Sequence, residues 1–289
     1  MGKLIRCITS DGQVMATAVD TTDIVNRAEQ IHKTSAVVTA ALGRLLTAGT
    51  MMGNMLKGKN DSLTLRVNGD GPAGSLIVAA DFNGDVRGYV QNPVVEIPLN
   101  TKGKLDVGTA VGKNGLLYVL KDLGLKEPFS GSVPLVSGEI AEDITSYYAL
   151  SEQIPTVCAL GVLVNPDLSV KAAGGYIIQL LPAASDETIE KIEKGISELK
   201  SVTAMLDSGM TTEKIIKTAL KYFEVEVLYS QDIEYKCDCS KDRVSKALIS
   251  LGKEELTEMA EEMEVTEVKC HFCDKVYKFT SEELIKLIK

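Results

Sequence analysis

The feature that most constrains this chain is a set of two tight cysteine pairs near its end. One residue separates Cys237 from Cys239, two separate Cys270 from Cys273, and thirty lie between the pairs. Each pair can present two thiolates from one turn of backbone. Two such turns folded together give the tetrahedral four-sulfur set that zinc prefers. The sequence therefore predicts one Zn²⁺ per chain, with these four cysteines as its metal ligands.

The four cysteines also limit what such a zinc ion can do. A catalytic zinc keeps one coordination position open for water, whereas four thiolates close the tetrahedron. Hydrolytic zinc chemistry is therefore not expected. His271 lies inside the second pair, but because the ligand set is already complete we do not expect it to bind the metal.

The segment that carries the cysteines has little else to stabilise it. Residues 232–289 hold fourteen acidic and ten basic side chains in fewer than sixty residues. A unit of this size with so few apolar residues generally needs a metal to fold. We therefore predict a small C-terminal zinc-binding domain over 232–289, with a hairpin whose turn is the Cys270–Cys273 segment.

Two interpretations of the zinc remain open at this point. The site is either purely structural or a redox switch, because thiolates are the form that oxidants attack and an oxidised ligand leaves the metal. The spacing of Cys237 and Cys239 favours the switch. A disulfide across one intervening residue closes a small ring far from relaxed geometry, so it is easily reduced again.

Composition excludes several other classes of protein. The 289 residues carry a net charge of −9, whereas binding to nucleic-acid phosphates needs clustered Lys and Arg. A zinc-ribbon nucleic-acid binder is therefore disfavoured. The chain has neither an evident run of 18 apolar residues nor an apolar secretory signal. We expect a cytoplasmic protein that engages neither membrane nor nucleic acid, and in the cytoplasm thiols stay reduced.

The rest of the chain predicts an α+β fold of antiparallel-rich sheets and helices, with a core domain over 1–182. A hairpin is expected over 3–20, two helices before residue 56 and an antiparallel meander over 62–90. Further along, the patterns predict short strands near 116–120 and 131–136, a helix over 139–153, and strands over 156–164 and 170–181.

Residues 183–231 are predicted to form a helical linker region. Apolar residues recur every three or four positions from Ile189 to Leu206, and a second amphipathic helix follows Thr212. Two such helices cannot bury their apolar faces alone, so they should pack on the core domain. A short strand over 224–228 then leads into the cysteine segment.

No other motif supports a catalytic site. The letters of Gly69 to Gly74 fit GxGxxG, but a strand rather than a helix follows, so we interpret them as a glycine-rich turn. Cys7 and Cys158 lie in apolar strands and are predicted to be inert core residues. The main alternative function is an enzyme in the N-terminal domain that carries a structural four-cysteine zinc tail.

At these residues the chain resembles the heat-shock protein 33 family, the redox-regulated holdase chaperones of bacteria. The Cys237–Cys239 and Cys270–Cys273 spacings are the most specific match. Two further segments, residues 147–156 (YYALSEQIPT) and 173–182 (AGGYIIQLLP), are similar to segments of that family. The resemblance extends over the full length of the chain.

The resemblance implies a non-enzymatic chaperone that is zinc-bound and inactive when reduced. It implies that oxidants form Cys237–Cys239 and Cys270–Cys273 disulfides and expel the zinc. The tail and the linker then unfold, and the protein, as a homodimer, holds unfolding client proteins without ATP. The absence of a nucleotide-binding motif agrees with this expectation.

Overall fold

The structure, a computed structural model, describes residues 1–288 and divides into two compact units. The first unit comprises Met1–Tyr235, and the second begins at Lys236. The strands of the first unit are β1 (Gly2–Thr9), β2 (Val14–Asp20), β3 (Ser62–Asn68), β4 (Leu76–Asp81), β5 (Val86–Val90), β6 (Leu116–Asp122), β7 (Phe129–Pro134), β8 (Thr156–Val164), β9 (Val170–Leu180) and β10 (Val225–Ile233). Its helices are α1 (Thr22–His32), α2 (Ala36–Asn54), α3 (Val107–Val111), α4 (Ala141–Tyr147), α5 (Asp186–Ser197), α6 (Val202–Asp207) and α7 (Thr212–Ala219), and a π-helical turn over Tyr148–Glu152 continues α4.

The strands form two antiparallel five-stranded sheets. Sheet I has the order β10-β1-β2-β9-β8, and sheet II has the order β5-β4-β3-β6-β7. The hairpin β1-β2 and the meander β3-β4-β5 are both found with antiparallel register. The predicted α+β class with antiparallel-rich sheets is confirmed.

Helix α2 lies in the core and contacts strands of both sheets. Its small residues permit this close approach, because a Cβ on Gly49 would lie 2.6 Å from Cγ1 of Val78. Among the described residues, α2 alone is long and apolar enough to cross a membrane by length and composition. The sequence does not predict a membrane-spanning segment. The 18-residue window of α2 that meets this test is 89% buried inside the fold, as in the core helix of a globular protein.

Helices α5, α6 and α7 cover the face of sheet I that α2 leaves open. Successive residues of a strand point to opposite faces, so Leu4 packs in the core around α2 while Ile5 packs under α5–α7. The buried residues contributed by these helices are Ile192, Val202, Met205, Ile215, Ile216, Ala219 and Leu220. The packing expected from their amphipathic pattern is confirmed.

The helical segment is more broken than its periodicity predicts. The apolar pattern from Ile189 to Leu206 suggests one helix, but α5 ends at Ser197 and α6 begins at Val202. Ser201 caps α6 by accepting a hydrogen bond from the Ala204 amide, 3.3 Å away. A serine at an N-cap competes with helix continuation, and the periodicity continues across the break because both helices face the same sheet.

Both ends of the helical segment are attached at one turn of sheet I. The Leu181 amide donates to the carbonyl of Gln13 (2.8 Å), and the Ser10 amide donates to the carbonyl of Glu224 (2.9 Å). Strand β10 is longer than the predicted 224–228 and pairs with β1 from Thr9 to Gly2. The segment 181–224 is therefore held to the β1-β2 turn at both of its ends.

The glycine-rich turn joins β3 to β4 and starts no helix. It is backed by α3, a short helix that the sequence did not predict: the Gly71 amide donates to Val111 and the Ala73 amide to Ala110. A nucleotide site needs a helix N-terminus at the glycines, so the interpretation as a turn holds.

The second unit is built from three helices and one hairpin. These are α8 (Lys241–Ile249), α9 (Lys253–Glu262), β11 (Val265–Lys269), β12 (Val276–Thr280) and α10 (Ser281–Leu287). Its core is small, with five buried apolar residues among those described: Leu248, Leu256, Tyr277, Phe279 and Leu284. Thr280 and Glu283 form a capping box at the start of α10.

Candidate metal centre

The first cysteine pair lies in an irregular segment that ends at the N-terminus of α8. Ser240 stops the segment by capping α8, its hydroxyl accepting from the Arg243 amide at 3.2 Å. Cys237 and Cys239 both contribute their sulfurs to one cluster from this short segment. A single intervening residue is therefore enough to direct both sulfurs to one point.

The second cysteine pair forms the turn of the β11-β12 hairpin. The Cys270 amide donates to the carbonyl of Lys275, and the Asp274 amide donates to the carbonyl of Cys270, both at 2.9 Å. Asp274 adopts a left-handed conformation with φ of 62°, which Asp tolerates better than most residues. This turn directs Cys270 and Cys273 to the same point as the first pair.

The four Sγ atoms all lie within 4.8 Å of one another. Cys237 and Cys270 are 3.8 Å apart at sulfur, and Cys239 and Cys273 are 3.4 Å apart. Four sulfurs at about 2.3 Å from a tetrahedral zinc ion would be about 3.8 Å apart. The cysteines are therefore close enough to hold a metal ion, and their soft thiolate donors fit zinc.

The thiols differ in acidity. Burial raises the pKa of Cys237 and of Cys273. Burial also acts to raise the pKa of Cys239, but hydrogen bonds, first of all from Tyr277, outweigh it and lower that pKa to about 7. The Tyr277 hydroxyl donates to Cys239 Sγ at 3.0 Å. Cys239 is thus partly ionised near neutral pH before any metal binds.

The basic residues around the site are paired with nearby carboxylates. Lys269 lies 2.9 Å from Asp274, Lys241 lies 2.6 Å from Glu283, and Arg243 forms an ion pair with Asp238. Four thiolates and Zn²⁺ sum to a charge of −2. These cations therefore offset that charge only in part, because each also meets a carboxylate.

The remaining cysteines, Cys7 and Cys158, belong to the first unit and are not part of the cluster. Cys7 is buried under α5–α7, where burial raises its pKa to about 11. Cys158 packs beside the core around α2, and burial raises its pKa as well. Both thiols are protonated at neutral pH and sit among apolar neighbours, in agreement with the inert role predicted for them.

Two contributors to the site were missed in the sequence. Tyr277 faces the small core and also reaches Cys239, and Asp274 supplies the left-handed turn after Cys273. The alternation of β12 could have indicated Tyr277, since Tyr277 and Phe279 share one face of the hairpin. The hydrogen bond itself could not be predicted because it joins residues 38 positions apart.

We expect Tyr277→Phe to weaken zinc binding about tenfold, since loss of a partner of a metal ligand costs 10–100-fold in affinity. The hydroxyl keeps the pKa of Cys239 low, so its loss raises that pKa. Protons then compete with zinc at higher pH, and the midpoint of zinc release on acidification moves upward. Competition with a chromogenic zinc chelator between pH 5 and 8 measures both effects.

A surface tyrosine provides the matched control. The Tyr222 hydroxyl donates to Glu198 on the first unit, so Tyr222→Phe should leave both affinity and midpoint unchanged. Equal zinc affinity in Tyr277→Phe and the unaltered protein would show that the hydroxyl does not act on the metal ligand.

The fold and the cysteine cluster define a class: α+β proteins with a small C-terminal unit in which four clustered cysteines could hold a zinc ion. Comparison with known proteins identifies the family. The family model described as "Hsp33 protein" matches residues 2–280. The "33 kDa chaperonin" of Lachnoclostridium phytofermentans is 52% identical over 285 residues, covering 99% of this chain and 97% of that protein.

More distant relatives and a solved structure agree. The "33 kDa chaperonin" of a Geobacillus species is 48% identical, covering 98% of this chain and 96% of that protein. The crystal structure of the 33 kDa chaperonin, or Hsp33 homolog, of Thermotoga maritima is 38% identical with a TM-score of 0.89, covering 99% of this chain and 97% of that one. The chain belongs to the Hsp33 family, and this membership supports a chaperone function.

Proposed function

We propose that this chain is a redox-regulated holdase chaperone that works without ATP. The observation that carries the proposal is the convergence of four cysteine sulfurs in a unit with only five buried apolar residues among those described. Such a unit depends on its metal for folding, so chemistry at the sulfurs controls whether it is folded. Family membership supports the chaperone activity, and the cluster supports the means of regulation.

In the reduced state Cys237, Cys239, Cys270 and Cys273 are proposed to hold one Zn²⁺. The bound ion supplies charge compensation and crosslinks the segment before α8 to the β11-β12 hairpin. Cys239 and Cys270 also pack against the small core, so the metal site and the core stabilise each other. In this state the unit is folded and the protein is inactive.

Oxidation is proposed to convert the four ligands into Cys237–Cys239 and Cys270–Cys273 disulfides, the pairing that the family resemblance implies. For each disulfide, two thiolates lose two electrons to one molecule of peroxide, which takes up two protons and becomes two waters. A sulfur in a disulfide no longer carries the charge that binds zinc, so the ion leaves. The C-terminal domain then loses free energy of folding on the order of 10 kcal/mol.

The proposed output is release of helices α5–α7 of the linker region, residues 183–231. Helices α5–α7 cover an apolar face of sheet I formed by strand residues such as Ile5, Ala16 and Ile178. Once uncovered, that face and the apolar sides of the helices are surfaces on which an unfolding polypeptide can be held. The proposed partners are therefore unfolded client proteins, and a cytoplasmic homodimer is the proposed working form.

Light scattering of a heat-unfolding client enzyme tests the proposal. We expect the reduced, zinc-loaded protein to leave aggregation unchanged, and the protein treated with peroxide at mildly raised temperature to suppress it. Zinc release, followed with a chromogenic chelator, should precede or accompany the gain in protection. Release of zinc without added protection would reject regulation through this site, and equal protection before and after oxidation would reject a redox switch.

A further inference from the structure

The first unit contains a cavity of about 420 Å³ whose walls come from four parts of the chain. One wall is α2, a second is the end of β8, a third is the loop 99–105, and the fourth is α6. Its volume falls within the range of about 300–1,000 Å³ that small-molecule sites occupy. The cavity lies far in sequence from the cysteine cluster and plays no part in the proposed metal chemistry.

Arg44 supplies a partly unsatisfied cation to this cavity. Its side chain is only 18% exposed, and its Nη1 donates to the Glu139 carboxylate and, at 3.2 Å, to the Glu139 carbonyl. The Nε atom is buried and has no hydrogen-bond partner. A buried donor left unpaired costs free energy, so a shift of the Arg44 side chain that brings Nε to a ligand oxygen would be favourable.

The charge of the lining points to an anionic ligand. Lys104 joins Arg44, and the described lining residues include no carboxylate. This is unusual for a chain with a net charge of −9. Lys104 is held in place by a turn, since its amide donates to Asn100 Oδ1 at 3.0 Å. Arg44 is paired with Glu139, so these two residues and Lys104 together carry a formal charge of +1, which favours a ligand with one carboxylate or similar head group.

The remainder of the lining is apolar and partly uncovered. Leu99 is 60% exposed and Leu163 is 37% exposed, and both line the cavity together with Leu105, Leu160 and Val164. Aliphatic side chains at the rim of a cavity gain free energy when an aliphatic ligand covers them. The ligand that fits both sets of residues has an anionic head and a hydrocarbon body.

We propose that this cavity binds a small amphipathic carboxylate, with its head group at Arg44 and Lys104 and its aliphatic chain against the leucines of the loop and β8. The Arg44 guanidinium keeps one nitrogen on Glu139 and offers the others to the ligand. Binding involves no covalent step and needs no change in the metal site.

The position of α6 gives such a ligand a regulatory consequence, and this part alone rests on the proposed function. A Cβ on Gly161 would lie 2.7 Å from Thr203 Cγ2, so α6 sits directly against β8 at the cavity wall. A ligand that touches α6, α2 and β8 together favours the state in which α6 is packed. By mass action it stabilises that state and opposes release of the linker helices.

The test uses the full reduced, zinc-loaded protein and decanoate below its critical micelle concentration. Isothermal titration calorimetry should give saturable binding of one decanoate per chain, with amide shifts at Ala36, Gly161 and Val202 in NMR spectra. Lys104→Ala should weaken binding about twofold to fivefold, a rim charge being worth about 0.5–1 kcal/mol. Lys102→Ala is the matched control, because Lys102 belongs to the same turn and does not line the cavity.

A second variant and a second ligand test the roles of the Arg44 guanidinium and of the anionic head group. Arg44→Lys retains the positive charge but removes the guanidinium donors, so decanoate should bind about tenfold more weakly, with an unchanged thermal unfolding midpoint showing that the protein is still folded. Decyltrimethylammonium carries a similar chain with a cationic head and should not bind. Absence of saturable decanoate binding, equal binding of the ammonium compound, or equal affinity in Lys104→Ala and Lys102→Ala would each overturn the site.

Hydrogen exchange separates the site from its consequence. Decanoate should slow exchange of the α6 amides in the reduced protein and delay the gain of protection after peroxide. Binding with unchanged α6 exchange would leave the site in place and reject its regulatory role. Failure of peroxide to activate the chain at all would reject the proposed function without affecting the binding result.

Discussion

Cys273→Ser is expected to unfold the second unit while residues 1–182 and strand β10 remain folded. The change removes one of four proposed zinc ligands, and the free energy of binding that keeps the unit folded is on the order of 10 kcal/mol. Five buried apolar side chains among those described cannot replace it. Hydrogen exchange should lose protection throughout α8–α10 and the β11-β12 hairpin, and the zinc content of the purified protein should fall below one ion per chain.

The unfolding caused by Cys273→Ser is not expected to reach strand β10. Ile233 pairs with Gly2 in sheet I, and the Tyr235 hydroxyl donates to the Gly88 carbonyl at 2.8 Å. Because both contacts belong to the first unit, protection of β10 should persist in Cys273→Ser. His271→Ala is the control: His271 lies between two ligands but is not proposed to bind zinc, so the variant should keep its metal and its protection. Full protection of the hairpin in Cys273→Ser would refute metal-dependent folding.

The second large effect concerns which disulfides form on oxidation. In the folded unit Cys237 lies 3.8 Å from Cys270 and Cys239 lies 3.4 Å from Cys273 at sulfur. These two pairs join the two halves of the site across 33 and 34 residues. Disulfides between them would stabilise the folded unit by about 3–4 kcal/mol each. The proposed pairs, Cys237–Cys239 and Cys270–Cys273, leave the halves unlinked and free to separate.

We therefore expect peptide mapping of the peroxide-activated protein to find the two local disulfides. The same sample should have lost zinc and lost exchange protection from residue 236 onward. The comparison is a sample oxidised slowly without heat. Disulfides between Cys237 and Cys270 or between Cys239 and Cys273 would have to form while the second unit is still folded, and this sample gives them that opportunity. If the active protein carried Cys237–Cys270 and Cys239–Cys273 disulfides, unfolding of the second unit could not be the source of its activity.

Local sequence patterns were sufficient to predict the candidate site. Ligand type and spacing at Cys237, Cys239, Cys270 and Cys273 limit the geometry to a tetrahedron, and the structure brings the four sulfurs together. The hairpin turn and the capping box at Thr280 were also predictable, since both depend on neighbours within a few residues. The metal itself, its ligand set and the redox chemistry remain proposals.

Long-range pairing could not be predicted in the same way. The strand near residue 225 was expected, but nothing local indicates that it pairs with β1 at the edge of sheet I. The break at Ser201 was hidden because α5 and α6 direct their apolar residues to the same sheet. Helix α3 escaped notice because five residues are too few to establish a helical period. In each case the structure is decided either by a contact between residues distant in sequence or by a segment too short to show a periodic pattern.

Because residues 181–224 are attached at both ends, the segment can be released as a closed loop rather than as a free tail. Leu181 and Glu224 are held at the same β1-β2 turn. They adjoin strands β9 and β10, which lie three strand spacings apart, or about 14 Å. An unfolded segment of this length has a root-mean-square span of roughly 35–40 Å. If both attachments survive activation, the helices leave the sheet as a closed loop and not as a free tail. Because its two ends stay in place, the loop can return to the sheet in a unimolecular reaction. The loop therefore competes with a bound client at a fixed, high effective concentration.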